Sequence, residues 1–145
     1  MNQPWTAPGG HSVQIRESEP YGRNSVPGGK IIYLIDDDVS VRRSLVRLLT
    51  LMNRQVRAFD SAEAFLAEVD RLPLGGIILD MQLSGMSGLE LLRQMTNAGL
   101  RWPVIAMSGS QDEDAEAEAL RLGAQLYLHK PFDAGTLLDT ITQFL

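Results

Sequence analysis

"GGIILDMQLSGMSG", residues 75–88, decides how the chain is read. Three consecutive apolar residues, Ile77 to Leu79, run directly into a carboxylate at Asp80, and a loop containing Gly85 and Gly88 follows. A short apolar run bounded by glycines reads as a strand buried on both faces. Burying an ionised carboxylate is costly. A strand that ends on one is expected to deliver it to a polar cleft.

The same theme recurs along the chain. "KIIYLI" (30–35) leads into Asp36, Asp37 and Asp38, and "VRAF" (56–59) is strand-like. "PVIAMS" (103–108) ends on Ser108, followed by Gly109 and Ser110, and "LYLH" (126–129) runs into Lys130 and Pro131. Between these lie stretches with helical spacing. "SVRRSLVRLLTLM" carries Val41, Leu45, Leu48, Leu49 and Met52, with Ser40 as the expected N-cap. "SAEAFLAEVDRL" (61–72) predicts a helix capped by Ser61 with Ala62, Phe65, Leu66 and Val69 on one side. Further helices are predicted over 87–99, 112–124 and 133–145. Five strands alternating with five helices imply right-handed crossovers and an α/β fold, with a parallel sheet covered on both faces.

The bulk properties narrow the function classes. A chain of 145 residues with 44% hydrophobic residues fits one domain of ordinary size. Its net charge of −5 argues against a nucleic-acid surface as the main feature. The absence of cysteine excludes disulfides, thiolate metal sites and cysteine nucleophiles. No apolar run is long enough for a membrane span, and residues 1–10 lack the pattern of a secretory signal, so a cytoplasmic setting is expected. Residues 1–29 hold four prolines and two glycine pairs with few aliphatics and no period. They read as a flexible tail in which Trp5, Ile15 and Tyr21 could anchor on a partner.

In an open parallel sheet, ligands bind beyond the carboxyl ends of the strands. That edge collects Asp36, Asp37, Asp38, Asp80, Ser108 and Lys130. Carboxylates packed together repel one another unless a cation neutralises them. Oxygen ligands without His or Cys favour a hard ion, Mg²⁺ above all. A lysine and a hydroxyl are suitable donors to phosphoryl oxygens, and a carboxylate can itself be the nucleophile, giving an aspartyl-phosphate. The chain has only two lysines, Lys30 and Lys130, against eleven arginines, and one of the two falls at this edge. His129 reads as a surface residue rather than a metal ligand.

"LIDDD", "LDMQLSGMSG", "AMSGS" and "LYLHKPF", in this order, resemble the receiver domain of two-component response regulators over about residues 30–145. "MSGLELL" and "FDSAEAFL" are most similar to FixJ-type receivers. The resemblance implies a five-stranded, doubly wound (βα)5 sheet of the flavodoxin/CheY-like kind with strand order 2-1-3-4-5. It implies that Asp80 is the phosphoacceptor. Asp36 and Asp37 then form an acidic pair at a Mg²⁺ site, Asp37 as a direct ligand beside Asp80 and the backbone carbonyl of Gln82, and Asp36 through water. Ser108 matches the hydroxyl that bonds the phosphoryl group, Lys130 the lysine that pairs with it, and Pro131 the proline that follows. Tyr127 matches the aromatic switch residue, which turns inward when Ser108 moves.

The implied partners are a sensor histidine kinase or histidine phosphotransfer protein as donor, and a downstream protein. The latter would read the surface of the fourth helix, fifth strand and fifth helix, with homodimerisation on phosphorylation as a further expectation. That surface is acidic, with Asp112, Glu113, Asp114, Glu116 and Glu118 close together. The implied role is a signalling domain, not an enzyme acting on a separate substrate. It would be either a single-domain regulator or the receiver part of a transcriptional regulator. Neither nucleic acid nor membrane is an expected direct contact.

One departure stands out: Leu83-Ser84 occupies the place where the family usually has Met-Pro, and a looser loop after Asp80 is expected. Gln82 and Ser110 fall at variable positions that overhang the site and are expected to tune the phosphoryl lifetime. Two rival readings are carried. "DDDVS" also fits the nucleophile motif of haloacid-dehalogenase-like phosphatases, with Asp36 as nucleophile and Asp38 as acid/base, which leaves Asp80 without a role. A pseudo-receiver would keep the fold without phosphorylation.

Overall fold

The computed structural model describes residues 31–145. Lys30 and the tail expected over 1–29, with Trp5, Ile15 and Tyr21, lie outside the described residues. The order is β1 (Ile31–Ile35), α1 (Val39–Leu51), β2 (Val56–Phe59), α2 (Ala62–Leu66), β3 (Gly75–Asp80), α3 (Gly88–Asn97), β4 (Val104–Ser108), α4 (Glu113–Arg121), β5 (Ala124–His129) and α5 (Ala134–Phe144). The strands form one sheet in the order β2-β1-β3-β4-β5, and every pairing is parallel. This is the CheY-like α/β fold that the motifs implied.

Alternation along each strand splits the core into two layers. Tyr33, Ile35, Ile77, Leu79, Ala106 and Tyr127 face α2, α3 and α4, while Ile32, Leu34, Ile78, Ile105, Met107 and Leu128 face α1 and α5. Because both faces are covered, β1, β3 and β4 are buried at every position. Each fully buried large aliphatic contributes about 1.5–3 kcal/mol. Tyr33 anchors one layer: its ring lies 5.8 Å from Phe65 and 5.5 Å from Trp102, and its hydroxyl donates to the Pro73 carbonyl at 2.6 Å. Burial pushes the Tyr33 phenol well above its ordinary pKa, so it stays a neutral donor.

Three local expectations need correction. The N-cap of α1 is Asp38, not Ser40: the Asp38 carboxylate accepts from the amides of Ser40 and Val41 at 2.8 and 3.2 Å. A carboxylate at the N-cap satisfies two orphan donors at once and lies at the positive end of the helix dipole. The helix expected over 61–72 stops at Leu66 and is followed by a 3-10 turn, Val69–Arg71. Pro73 accounts for the end of that turn, because a residue before proline is pushed out of the α region, and Leu72 is extended at ψ 139°. The helix expected to reach 124 ends at Arg121, where Gly123 at φ +110° turns the chain into β5.

No helix among the described residues is long and apolar enough to cross a membrane. The glycine pair that opens the quoted segment is set by close packing. A Cβ on Gly75 would lie 2.3 Å from the Ile31 carbonyl oxygen, and that backbone is locked in the β1–β3 ladder. Gly75→Ala is therefore expected to lower stability by about 1–3 kcal/mol, as overpacking does. Urea denaturation followed by circular dichroism checks this; an unchanged midpoint would contradict it.

Candidate functional site

The parallel register brings the three strand ends level. Ile35 pairs with Leu79, Asp80 with Met107 and Ser108 with His129, so the residues after β1, at the end of β3 and after β5 meet at one edge. There, one carboxylate oxygen each from Asp36, Asp37 and Asp80 lies within 4.8 Å of the others. Asp36 is fully buried and Asp80 nearly so, whereas Asp37 is exposed. Lys130, delivered by β5, places its Nζ 3.6 Å from Asp36 Oδ2 and 3.5 Å from Asp80 Oδ2.

Each carboxylate is held differently. Asp36 Oδ1 accepts from the Asp38 amide at 2.9 Å, while its Oδ2 is buried and has no hydrogen-bond partner. Burial pushes the Asp36 carboxyl above the usual carboxylate range; the Asp38 amide opposes that rise and the Asp80 charge adds to it. Asp80 Oδ1 accepts from the Gln82 amide at 2.9 Å. Asp37 Oδ2 accepts from the Ser84 hydroxyl at 2.7 Å and the Ser84 amide at 2.9 Å, which hold the Asp37 carboxyl below its ordinary range. Arg42 also braces the site from α1, donating to the Asp36 backbone carbonyl at 2.8 Å.

The other predicted residues fall around this cluster. Ser108 is buried one position beyond the partner of Asp80 on β4, and its hydroxyl accepts from the Ser110 amide at 3.0 Å. The Lys130 amide donates to the Ser108 carbonyl at 2.7 Å, and the Lys130–Pro131 peptide is cis. The Gln82 side chain reaches across the cleft, and its Oε1 accepts from the Gly109 amide at 2.9 Å. Tyr127 lies one strand further out, paired with Ala106, and is already turned inward at 7% exposure.

Two contacts were missed from the sequence. They belong to a loop after Asp80 that is tied at three points: Gln82 to Gly109, Ser84 to Asp37, and the Met86 amide to Glu63 Oε2 at 2.9 Å, the last two being the ones missed. The departure at Leu83-Ser84 was the available signal for Ser84, and nothing in the sequence marked Glu63. The acids around α4 are partly in structural use. Asp112 caps α4 through the Ala115 amide, Glu116 bonds His129 Nε2 at 2.9 Å, and Glu118 pairs with Arg121. Glu113 and Asp114 stay exposed.

A cluster of three carboxylates and one ammonium is two negative charges from neutrality. The buried Asp36 Oδ2 has an ion-pair partner in Lys130 but no hydrogen bond, and a cation or a closer donor would satisfy it. All the donors are oxygens, which fits a hard divalent ion such as Mg²⁺.

Comparison with known proteins gives concordant results. The family model of the response regulator receiver domain matches residues 32–142. The transcriptional regulatory protein FixJ of Bradyrhizobium diazoefficiens is 39% identical over 110 residues, covering 76% of this chain and 54% of that protein. The response regulator protein TmoT of Ectopseudomonas mendocina is 37% identical over 111 residues, covering 77% and 50%. Full-length FixJ from B. japonicum, in its crystal structure, superposes with a TM-score of 0.74 at 37% identity, covering 79% of this chain and 56% of that one. The FixJ-N crystal structure gives the same TM-score at 32% identity, covering 79% and 91%. The chain thus spans about half the length of the curated relatives it matches. A match that begins in β1 and ends in α5 takes in every element that builds the cluster, and on it the chain belongs to the response regulator receiver domain family, a family of signalling domains rather than classical enzymes.

Proposed function

We propose that residues 30–145 act as a phosphorylatable receiver in which Asp80 is the acceptor. The observation that carries this reading is the placement of Lys130, the sole lysine among the described residues, within 3.6 Å of both Asp36 and Asp80 at the ends of three strands. Receivers of the FixJ type work with sensor kinases, so the donor is a phosphohistidine of such a kinase or of a phosphotransfer protein. An Asp80 carboxylate oxygen forms a bond to phosphorus as the phosphorus–nitrogen bond of the donor breaks, and the imidazole leaves with the nitrogen electron pair.

The chain's own groups prepare that step. The Gln82 amide holds Asp80 Oδ1 and fixes the carboxylate plane. Lys130 is a compact point charge beside the oxygens on which charge accumulates. Asp36, Asp37, Asp80 and the Gln82 backbone carbonyl are the groups that would hold Mg²⁺. When bound, the ion supplies neutralisation of the carboxylates and of the incoming phosphoryl oxygens.

A phosphoryl group brings about −1.5 to −2 charges, and the Ser108 hydroxyl and Lys130 are the donors it recruits. Ser108 Oγ already accepts from the Ser110 amide, Ser110 Oγ accepts from the Asp112 amide, and Asp112 caps α4. Reorienting Ser108 therefore acts directly on the start of α4. Tyr127 is packed inward in the core layer that faces α2, α3 and α4, where it backs the face that reorientation of Ser108 would alter. The face of α4, β5 and α5 is the surface a downstream protein or a second copy reads. A cytoplasmic setting accompanies this reading, with no direct nucleic-acid or membrane contact by these residues.

The phosphatase reading uses Asp38 as acid/base, but that carboxylate is engaged as the cap of α1. Asp38→Ala is expected to cost about 1 kcal/mol of stability and to leave phosphorylation intact; loss of phosphorylation in a folded variant would favour the phosphatase reading. Incubation with acetyl phosphate and Mg²⁺ is expected to add one phosphoryl group, about 80 Da by intact-mass spectrometry, to the wild type and none to Asp80→Asn. An adduct persisting in Asp80→Asn would move the nucleophile to Asp36, and no adduct in either protein would support the pseudo-receiver. Lys130→Met is expected to slow adduct formation by about 10²-fold, the scale of losing one electrostatic donor. An unchanged time course would remove Lys130 from the site chemistry.

A further inference from the structure

The loop from Gln82 to Ser87 carries a contact that the receiver reading does not use. Ser84 gives both its donors to a single acceptor: its hydroxyl and its amide reach Asp37 Oδ2 at 2.7 and 2.9 Å. Asp37 is the exposed member of the carboxylate cluster and the one with no buried surroundings to hold it. Two bonds to one oxygen fix both the position and the plane of a side chain that would otherwise sample several rotamers. They leave Oδ1 outside that pair of bonds. The loop that presents Ser84 is itself braced from the other side, where the Met86 amide donates to Glu63 Oε2.

We infer that Ser84 is a positioning residue: it pre-sets the Asp37 carboxylate for a divalent cation, and so sets the metal affinity of the site. The inference rests on the cation site proposed above. Groups that hydrogen-bond a metal-ligating carboxylate fix its orientation, and removing them commonly costs 10–100-fold in affinity. Proline, the residue that the resemblance places here in most receivers, has neither an N–H nor a hydroxyl and could make neither bond. Alanine keeps the amide and loses only the hydroxyl. In this chain, loop geometry and ligand orientation are thus joined through one side chain.

The test is a titration of the full 145-residue chain with MgCl2 by isothermal calorimetry, with wild type, Ser84→Thr, Ser84→Ala, Ser84→Pro and Asp37→Asn compared. Thermal melts in EDTA report stability without metal. The expected order of affinity is wild type and Ser84→Thr together, Ser84→Ala several-fold weaker, and Ser84→Pro weaker by about 10-fold or more. The melting temperature of Ser84→Ala in EDTA should match wild type, because the bond lies at the exposed rim. Wild-type binding that Asp37→Asn abolishes but Ser84→Ala leaves equal or tightens would overturn the role of Ser84 and keep the cation site. A wild type without saturable binding would overturn the cation site and the role of Ser84 together.

Discussion

The molecule is organised around an electrostatic imbalance. Three carboxylates share one corner of the sheet with a single ammonium group. At separations of no more than 4.8 Å, each like-charged pair costs about 3 kcal/mol or more at an effective dielectric constant of about 20. The deficit is worst at Asp36, which is fully buried and keeps one oxygen without a hydrogen-bond partner. No fold selected for stability alone would gather these groups, since buried charge that one ammonium compensates only in part is costly for a core to hold. Under the proposed function, the imbalance is that of a site that takes up positive charge first and a phosphoryl group after it.

The rest of the structure supplies the rigidity that keeps the cluster from relaxing. Fully covered strands with nearly continuous apolar sequence set the register, and register sets which residues emerge at the edge. The loops beyond that edge are then stitched to one another by polar side chains. Gln82 joins the loop after β3 to the loop after β4, Ser84 joins it to the loop after β1, and Glu63 joins it to α2. Ser108, Ser110 and Asp112 pass a line of hydrogen bonds from the site into α4. Short-range polar contacts of this kind can exchange partners without disturbing the core, which is what a switch built on a rigid sheet requires.

Much of this was legible in the sequence because apolar runs that end on charge are unusual. "IILD", "LIDDD" and "LHK" mark both the strands and the site, and the topology brings together Asp36, Asp37, Asp80 and Lys130 as the strand ends imply. Periodicity alone was a poorer guide to helix ends. It extended the second helix through Leu72 because it registers Val69 on the apolar side but not the effect of Pro73 on its neighbour. It assigned the first cap to Ser40 because several adjacent residues were competent caps, and only the backbone course selects Asp38. The Ser84–Asp37 pair was out of reach for another reason. The two residues are 47 positions apart, and a serine in a loop carries no pattern until the fold sets its neighbour.

The central claim is that Asp80 bears the phosphoryl group while its acidic neighbours hold the cation. A crystal structure of the chain grown with Mg²⁺ and beryllofluoride tests it most directly. The account predicts a beryllium–oxygen bond to Asp80, with Lys130 and Ser108 on the fluorines and the cation bound by Asp37, Asp80 and the Gln82 carbonyl, Asp36 on its water shell. Beryllofluoride on Asp36 with Asp80 left free, or an ion bound away from these carboxylates, would contradict it.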